Sequence, residues 1–141
     1  MRIYGNDLDN TVTLMKALAD ETRLRILNLL IERECCVCEV MQALAISQTR
    51  ASRNLSQLYD AGLLEQRREG LWTIYYLSPG ISVDYRRLVV DAVDRALSAN
   101  DLAAADRSRL RVSSRLCPPI DVPQGEKHSE PENSGCPKPA V

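Results

Sequence analysis

The fold is decided by residues 45–77, which read AISQTRASRNLSQLYDAGLLEQRREGLWTIYYL. The triplet Ala45-Ile46-Ser47 predicts a short turn, because its serine is a residue type that caps helix N-termini. Residues 48–61 then place apolar side chains at helical spacing, and Gly62 supplies a typical C-terminal stop. This stretch therefore predicts a helix that directly follows a three-residue turn.

The residues on either side of this helix complete a recognisable architecture. Residues 63–77 predict a β-hairpin, because both arms are rich in β-forming residues and Glu69-Gly70 supplies a turn. Upstream, apolar side chains at helical spacing predict three helices, over 9–19, 21–32 and about 36–44. The third helix, the turn and the next helix make a helix-turn-helix, and the hairpin adds a wing. The predicted fold class is mainly α (α+β), a winged helix-turn-helix with a two-stranded wing.

The C-terminal part of the chain divides into a helix and a tail. Residues 82–105 predict one long helix, whose apolar face is too extensive for a small monomer to cover, so we expect a homodimer through the first and last helices. Residues 117–141 hold six of the seven prolines and few apolar residues, which predicts a disordered tail. The predicted organisation is a DNA-binding and dimerisation domain at 1–105, a helix end or linker at 106–116, and the tail.

Composition excludes several classes of protein. The formal net charge of −1 provides no global basic field for nucleic acid or an anionic membrane. No apolar run approaches the roughly 18 residues of a membrane span, and the N-terminus lacks the pattern of a secretory signal. Five cysteines are an odd number, and three of them are too close together to link distant segments. We therefore expect a cytoplasmic protein, with no membrane partner, in a reducing compartment where clustered thiols indicate metal binding or redox chemistry.

Three of the cysteines lie within four positions in residues 34–41, ECCVCEVM. A buried cysteine is commonly just a small hydrophobic residue, but Cys35, Cys36 and Cys38 together favour binding of a soft ion. The candidate ions are trivalent arsenic or antimony, cadmium, lead, zinc and copper(I). Near a helix N-terminus, these thiols should have lowered pKa values.

The helical position predicted for the thiols also predicts their geometry. On a regular helix Cys36 and Cys38 lie about 200° apart, so their sulfur atoms diverge. Cys35 and Cys38 are three positions apart and should face the same way. A three-thiolate site at 35, 36 and 38 would therefore have to distort the start of the helix that supports the next one.

The helix at 48–61 has a face suited to DNA. Its first residues would lie foremost in a major groove, and residues 47–58 contain no acidic side chain. Although an ordinary solvated face could look similar, the turn before the helix and the wing after it favour DNA contact. The candidate contacts on this face and its flank are Gln48, Thr49, Arg50, Ser52 and Arg53, and Arg67 and Arg68 in the hairpin would reach phosphates.

Several motifs in order resemble the ArsR/SmtB family of metalloregulated repressors, of the arsenic-responsive type. They are ALADETRLRILNLL at 17–30, CVCEV at 36–40 and the residues from Ile46 to Leu77, and the resemblance covers roughly 12–98. It implies a homodimer that binds a palindromic double-stranded operator until a metal or metalloid releases it. The implied DNA-contacting positions are Ser47, Gln48, Ser52 and Arg53. Asn54, where the family commonly has histidine, is kept in the predicted set.

The same resemblance implies the ligand. The CVCE stretch is similar to the metal box of arsenic and cadmium members, so we expect arsenite or antimonite as inducer and no organic cofactor. Met41 stands where arsenic members often have a third cysteine, which leaves Cys35 as the third ligand and Cys117 as the reserve. Cadmium members add cysteines from an N-terminal arm, and this sequence has no cysteine before Cys35. The zinc and nickel sites on the last helix need histidines paired with acids, and the only histidine is His128.

Other hypotheses use the same thiols. Cys35 and Cys38 have the CxxC spacing of disulfide oxidoreductases, but helices precede them, and the sequence shows neither a cysteine–histidine pairing nor a Gly-rich phosphate loop. We therefore expect no enzyme. A thiol-redox repressor, a cadmium or lead sensor of the same fold, and a winged helix that binds protein instead of DNA remain alternatives. No role is assigned to Cys136.

Overall fold

The structure is a computed structural model that describes residues 8–115. In chain order its elements are α1 (Leu8–Leu18), α2 (Glu21–Glu32), β1 (Cys35–Cys36), α3 (Val37–Leu44), α4 (Gln48–Asp60), β2 (Leu64–Glu69), β3 (Trp72–Leu77), a 3₁₀ turn (Pro79–Val83), α5 (Tyr85–Leu97) and α6 (Asp101–Val112). The prediction of a mainly α winged helix-turn-helix is confirmed. The predicted tail at 117–141, with Cys117, His128 and Cys136, lies outside the described residues.

The helix boundaries follow local capping chemistry. The Asp20 side chain accepts a hydrogen bond from the Arg23 amide at 3.0 Å and starts α2. The Ser47 hydroxyl accepts one from the Arg50 amide at 3.2 Å and starts α4, the recognition helix. Gly62 follows α4 with φ +86°, in the left-handed region that glycine adopts without strain. These three predicted helix signals are confirmed.

The wing contains a strand that the sequence did not predict. Strands β2 and β3 pair antiparallel, from Leu64 opposite Leu77 to Glu69 opposite Trp72. Strand β1 adds to the other edge of β3, with Cys35 opposite Tyr75 and Cys36 opposite Ile74. The prediction of a two-stranded sheet is therefore corrected to three strands, in the order β1-β3-β2. Two residues are too short to show strand periodicity, and only the edge of β3 makes them extended.

The predicted long helix at 82–105 is wrong, because two separate helices occupy this region. The Asp84 side chain accepts a hydrogen bond from the Arg86 amide at 2.8 Å and starts α5 after the 3₁₀ turn. The Asn100 side chain accepts one from the Ala103 amide at 3.0 Å and starts α6. Capping side chains of this kind compete with helix continuation, and they divide one apolar pattern into two helices.

Helix α6 packs on the domain instead of extending away from it. Asp106, with 0% exposure, accepts hydrogen bonds from Arg25 of α2 at 2.8 and 2.9 Å and from Arg109 at 2.5 Å. The Asn28 side chain donates to the Ala103 carbonyl at 3.2 Å, and Leu110 joins the main core. Helix α6 runs through the boundary predicted at residue 105, and the division into domains stays a prediction.

Candidate DNA interface and thiol site

The outer face of α4 is polar and exposed, while its inner face is fully buried. Ala51, Leu55 and Leu58 have 0% exposure and pack in the core. The opposite face forms a shallow concave surface, which we call the recognition face. It is lined by Gln48, Thr49, Ser52, Arg53, Ser56 and Gln57. The predicted orientation of the helix is confirmed, and contact of these side chains with DNA stays a prediction.

Asn54 does not belong to the recognition face. Its side chain is 8% exposed, donates to the Arg50 carbonyl at 2.8 Å and accepts from the Arg23 guanidinium at 3.3 Å. The Asn54 amide already holds α4 against α2, and contact of Asn54 with DNA stays a prediction. The exposed Arg50 also has a contact within the protein, since its guanidinium donates to the Thr22 hydroxyl at 3.0 Å.

The two wing arginines differ in their surroundings. Arg67 donates to both carboxylate oxygens of Glu34, at 2.6 and 2.7 Å, and to Glu69 at 2.9 Å. These hydrogen bonds raise the pKa of Arg67 and lower the pKa values of both carboxylates. The Arg67 guanidinium also lies 5.5 Å from the centre of the Tyr76 ring. Arg67 is thus engaged within the wing, whereas Arg68 on the same strand is exposed and better placed to approach a phosphate.

Cys35 and Cys36 lie in an extended strand, not in the first turn of a helix. Successive side chains of a strand point to opposite faces. Cys35 is 0% exposed and lies in the hydrophobic core, where its thiol donates to the Arg33 carbonyl at 3.4 Å. The prediction that Cys35 and Cys38 face the same way assumed a helix through both, and the strand removes that assumption.

Cys36 and Cys38 are in contact. Cys36 is the extended residue that caps α3, and its amide donates to the Glu39 carboxylate at 2.9 Å. Because Cys36 is not helical, its thiol reaches Cys38 and forms a side-chain hydrogen bond with it. The predicted divergence of these two sulfur atoms is therefore wrong. All three cysteines are free thiols in this structure.

The thiol pKa values also differ from the prediction. Burial, followed by the charge of Glu39, raises the pKa of Cys35 to about 12. The hydrogen bond with Cys38, followed by burial, raises the pKa of Cys36. The lowered values expected at a helix N-terminus are not found for these two residues, because desolvation and hydrogen bonding disfavour their thiolates.

The three clustered cysteines do not form a ready three-thiol site. Within residues 8–115, no group of three histidine, cysteine, aspartate or glutamate side chains is arranged to hold a metal ion. Cys36 and Cys38 supply two adjacent sulfur atoms, while Cys35 lies on the other side of β1. A third ligand for the predicted arsenite or antimonite must therefore come from a rearrangement of Cys35 or from another part of the chain.

Charged side chains surround this pair of thiols. Glu39, 4% exposed, forms ion pairs with Arg33 at 2.7 Å and with Arg115 at 3.5 Å. Arg115 also pairs with Glu69 of the wing at 3.1 Å and lies 5.9 Å from the centre of the Trp72 ring. Sequence reasoning missed Arg115, because no local pattern places an arginine that follows α6 beside the start of α3.

An apolar groove lies away from the thiols and the recognition face. It is lined by Met15, Leu18, Leu24, Leu88, Val89, Ala92, Val93, Ala96 and Leu97 of α1, α2 and α5. Met15 is 48% exposed and Leu88 71% exposed. Two large apolar side chains so exposed mark a surface for protein contact. No helix within residues 8–115 is long and apolar enough to span a bilayer.

A helix-turn-helix with a polar recognition face and a β-wing defines the class of winged-helix DNA-binding regulators. The sequence model of the family "Bacterial regulatory protein, arsR family" matches residues 20–66 of this chain. The arsenic resistance transcriptional regulator ArsR1 of Pseudomonas putida is 44% identical over 107 residues, covering 72% of this chain and 83% of that protein. The chain belongs to the arsR family, and it is a transcriptional regulator, not an enzyme.

Further relatives agree in sequence and in structure. The arsenical resistance operon repressor of Escherichia coli is 45% identical over 82 residues, 57% of this chain and 70% of that protein. The homodimeric winged helix-turn-helix domain Mb0332 of Mycobacterium bovis matches with a TM-score of 0.53 at 33% identity, covering 66% of this chain and 87% of that chain. The structure of HlyU of Vibrio cholerae matches with a TM-score of 0.56 at 29% identity, and the match covers 67% of this chain and 99% of the HlyU chain.

Proposed function

We propose that this protein is a homodimeric repressor of an arsenical resistance operon, acting on operator DNA in the cytoplasm. Trivalent arsenic or antimony releases it from the operator by binding Cys36 and Cys38. The observation that carries the proposal is the contact between these two thiols at the first turn of α3. The names of the Pseudomonas putida and Escherichia coli relatives support the same ligand chemistry.

The position of the thiols supplies a route from ligand to DNA. Cys36 caps α3, and α3 is joined to α4 only by the turn that contains Ala45, which has φ +55°. Val40, Ala43 and Leu44 of α3 belong to the same core as the inner face of α4. Because a packed core does not deform continuously, an ion that pulls on Cys36 and Cys38 would move α3 and change the orientation of α4.

The direct test is a gel shift on the DNA upstream of the gene, with a panel of soft ions. We expect a footprint that arsenite and antimonite remove. Zinc should be a poor inducer, because it prefers four ligands and often includes histidine. If cadmium or lead released the protein and arsenite did not, the thiols would be assigned as a cadmium or lead site. Absence of any footprint would favour a protein-binding winged helix.

A redox repressor is a second candidate, because the contact between Cys36 and Cys38 also brings two oxidisable sulfur atoms together. A peroxide would take two electrons from the thiols, form one disulfide and leave as two waters. Formation of the disulfide would release the protein from its operator, and reduction by dithiothreitol would restore binding. Release by hydrogen peroxide with no response to arsenite would select this candidate.

Arg53→Ala should weaken operator binding by about 1–3 kcal/mol if Arg53 contacts a base edge. Arg68→Ala should weaken binding to all sequences and reduce the salt slope by about one. The reason is that Arg53 lines the recognition face, whereas Arg68 lies on the exposed wing. Fluorescence anisotropy on operator and scrambled DNA, at several salt concentrations, measures both effects. An unchanged affinity in Arg53→Ala would show that the recognition face is misassigned.

Leu88→Glu should convert the dimer to a monomer and abolish tight operator binding. Leu88 lies 71% exposed in the apolar groove, and a charge buried there against a second copy would be unpaired. Val112→Glu is the matched control, because Val112 is 81% exposed on α6 outside the groove. Sedimentation at micromolar concentration gives the oligomeric state.

Two half-sites about 10 bp apart, or a small multiple of that spacing, are expected in the operator of a dimer. A wild-type monomer with undiminished operator binding would contradict the dimer.

A further inference from the structure

Glu39, the third residue of α3, joins the thiol site to the charges around it. Its carboxylate accepts a hydrogen bond from the Cys36 amide at 2.9 Å. The same carboxylate pairs with Arg33 at 2.7 Å and with Arg115 at 3.5 Å. The Glu39 side chain is only 5% exposed, so these groups and not water satisfy its charge. A displacement of the Cys36 backbone therefore changes the position that the Glu39 carboxylate can take.

Arg115 continues this contact to the wing. Its guanidinium donates to Glu69 at 3.1 Å and lies 5.9 Å from the centre of the Trp72 ring, within the range of a cation–π contact. Glu69 and Trp72 are paired at the hairpin end of β2 and β3. We call the contacts from Glu39 through Arg115 to Glu69 the wing bridge. One side chain thus joins the first turn of α3 to the end of the wing.

The backbone beside Arg115 is fixed on α3. Ser114 exchanges two hydrogen bonds with the Gln42 side chain, at 2.6 and 3.2 Å. The Gln42 side chain also donates to the Cys38 carbonyl at 3.0 Å. Arg115 therefore reaches Glu69 from a backbone that is anchored beside the thiols.

The wing bridge ends next to a candidate phosphate contact. Arg68 precedes Glu69 in β2, and its side chain is exposed. Because the two residues are neighbours in one strand, a movement of Glu69 relative to α3 also moves Arg68 relative to the recognition face. The bridge thus connects the two surfaces that the proposed function uses, the thiol pair and the wing.

We propose that the wing bridge transmits ligand binding at Cys36 and Cys38 to the wing, with Arg115 as its positioning residue. This inference rests on the proposed function and deepens it, because release of the operator then uses the wing as well as α4. Each As–S bond replaces one As–OH bond of arsenous acid, and the thiol proton leaves with the hydroxide as water. The bonds to arsenic replace the hydrogen bond between the thiols and displace Cys36. Glu39 moves with the Cys36 amide and loses Arg115, and the wing loses its tie to α3.

The test compares Arg115→Met with the wild type. Methionine is similar in length and lacks the charge, so the wing of the variant is released with or without arsenite. We expect operator affinity about fivefold weaker than in the wild type, and an arsenite effect on that affinity smaller by the same factor. The factor lies at the lower end of allosteric couplings because the Arg115 and Glu69 side chains are 31% and 42% exposed. A loss of fold stability alone would weaken operator binding without changing the arsenite effect.

Trp72 provides a second readout that needs no DNA. It is the only tryptophan of the chain, so its fluorescence reports the surroundings of the wing directly. Arsenite should change the Trp72 emission of the wild type, because Arg115 leaves the ring. The emission of Arg115→Met should not respond to arsenite.

Three further variants control the test. Arg115→Lys keeps a positive charge and should restore part of both effects. Arg111→Met is the matched control, because Arg111 pairs with Glu32 of α2 at 2.6 Å and not with α3 or the wing, and it should behave as the wild type. Glu39→Gln keeps an oxygen for the Cys36 amide, removes the charge and should reproduce Arg115→Met. The double variant should add nothing, because both changes break one bridge. Circular dichroism establishes folding, and Glu39→Gln carries the test if Arg115→Met is unfolded.

The outcomes distinguish this inference from the proposed function. If arsenite binds and releases the wild type while the Trp72 emission stays constant, and Arg115→Met keeps the full arsenite effect, the wing bridge has no role and the thiol site stands. If the wild type binds no arsenite, the proposed function fails and the wing bridge fails with it.

Discussion

A protein with Cys36→Ser and Cys38→Ser should bind its operator as tightly as the wild type and should stay bound in the presence of arsenite. Serine is close to cysteine in size and can keep the extended cap conformation of residue 36, so the fold and the recognition face are preserved. The two adjacent sulfur atoms are lost, and a hydroxyl is a poor ligand for a soft metalloid. This prediction has the largest functional effect, because it changes a complete response into none. Operator release measured by anisotropy during an arsenite titration provides the test.

The controls for this variant separate ligand loss from damage to the fold. Cys136→Ser removes a thiol outside the described residues and should respond to arsenite as the wild type does. Each single variant, Cys36→Ser or Cys38→Ser, should also lose the response, because one thiolate of the pair cannot replace two. A double variant that still leaves its operator at the wild-type arsenite concentration would contradict the site and shift attention to Cys117 and Cys136.

Asp106→Ala should lower the free energy of unfolding by about 3 kcal/mol, because removing one member of a buried ion pair leaves its partners unpaired. Asp106 is 0% exposed and accepts from both Arg25 and Arg109. The Arg25 side chain is only 21% exposed, so in the variant water can replace only part of the hydrogen bonding that Asp106 provided to it. Urea denaturation followed by circular dichroism measures the change.

Asp91→Ala is the matched control for Asp106→Ala. Asp91 pairs with Arg87 at 3.1 Å on α5, but both side chains are about half exposed. Exposed pairs of this kind contribute about 0–1 kcal/mol, so little change is expected. Equal, small losses in the two variants would show that α6 contributes little to stability.

Local sequence signals determined the helix-turn-helix. Asp20, Ser47 and Gly62 act within three or four residues of themselves, and the apolar side chains of α4 repeat with the helical period. Such short-range interactions are readable from the chain alone, because the residues that satisfy them are neighbours in sequence. The exposed face of α4 and the resemblance to the arsR family follow from the same local patterns.

Contacts between distant residues decided the site. Cys35 and Cys36 are extended only because β3, about forty residues later, offers them an edge. Because these two residues are extended and not helical, the Cys35 side chain lies in the core and the Cys36 and Cys38 thiols are in contact. Asn54 is withdrawn from the recognition face by Arg23. Asn100 starts a new helix, which Asp106 then fixes on α2.

The sequence by itself therefore determined the class of protein, since that class depends on short motifs. The tertiary structure decided which thiols meet, which polar side chains remain exposed, and where the end of α6 lies. The physical reason is that these properties depend on pairs far apart in sequence. Arg115 and Glu39 form an ion pair although they are 76 residues apart in the sequence, and no local pattern relates them.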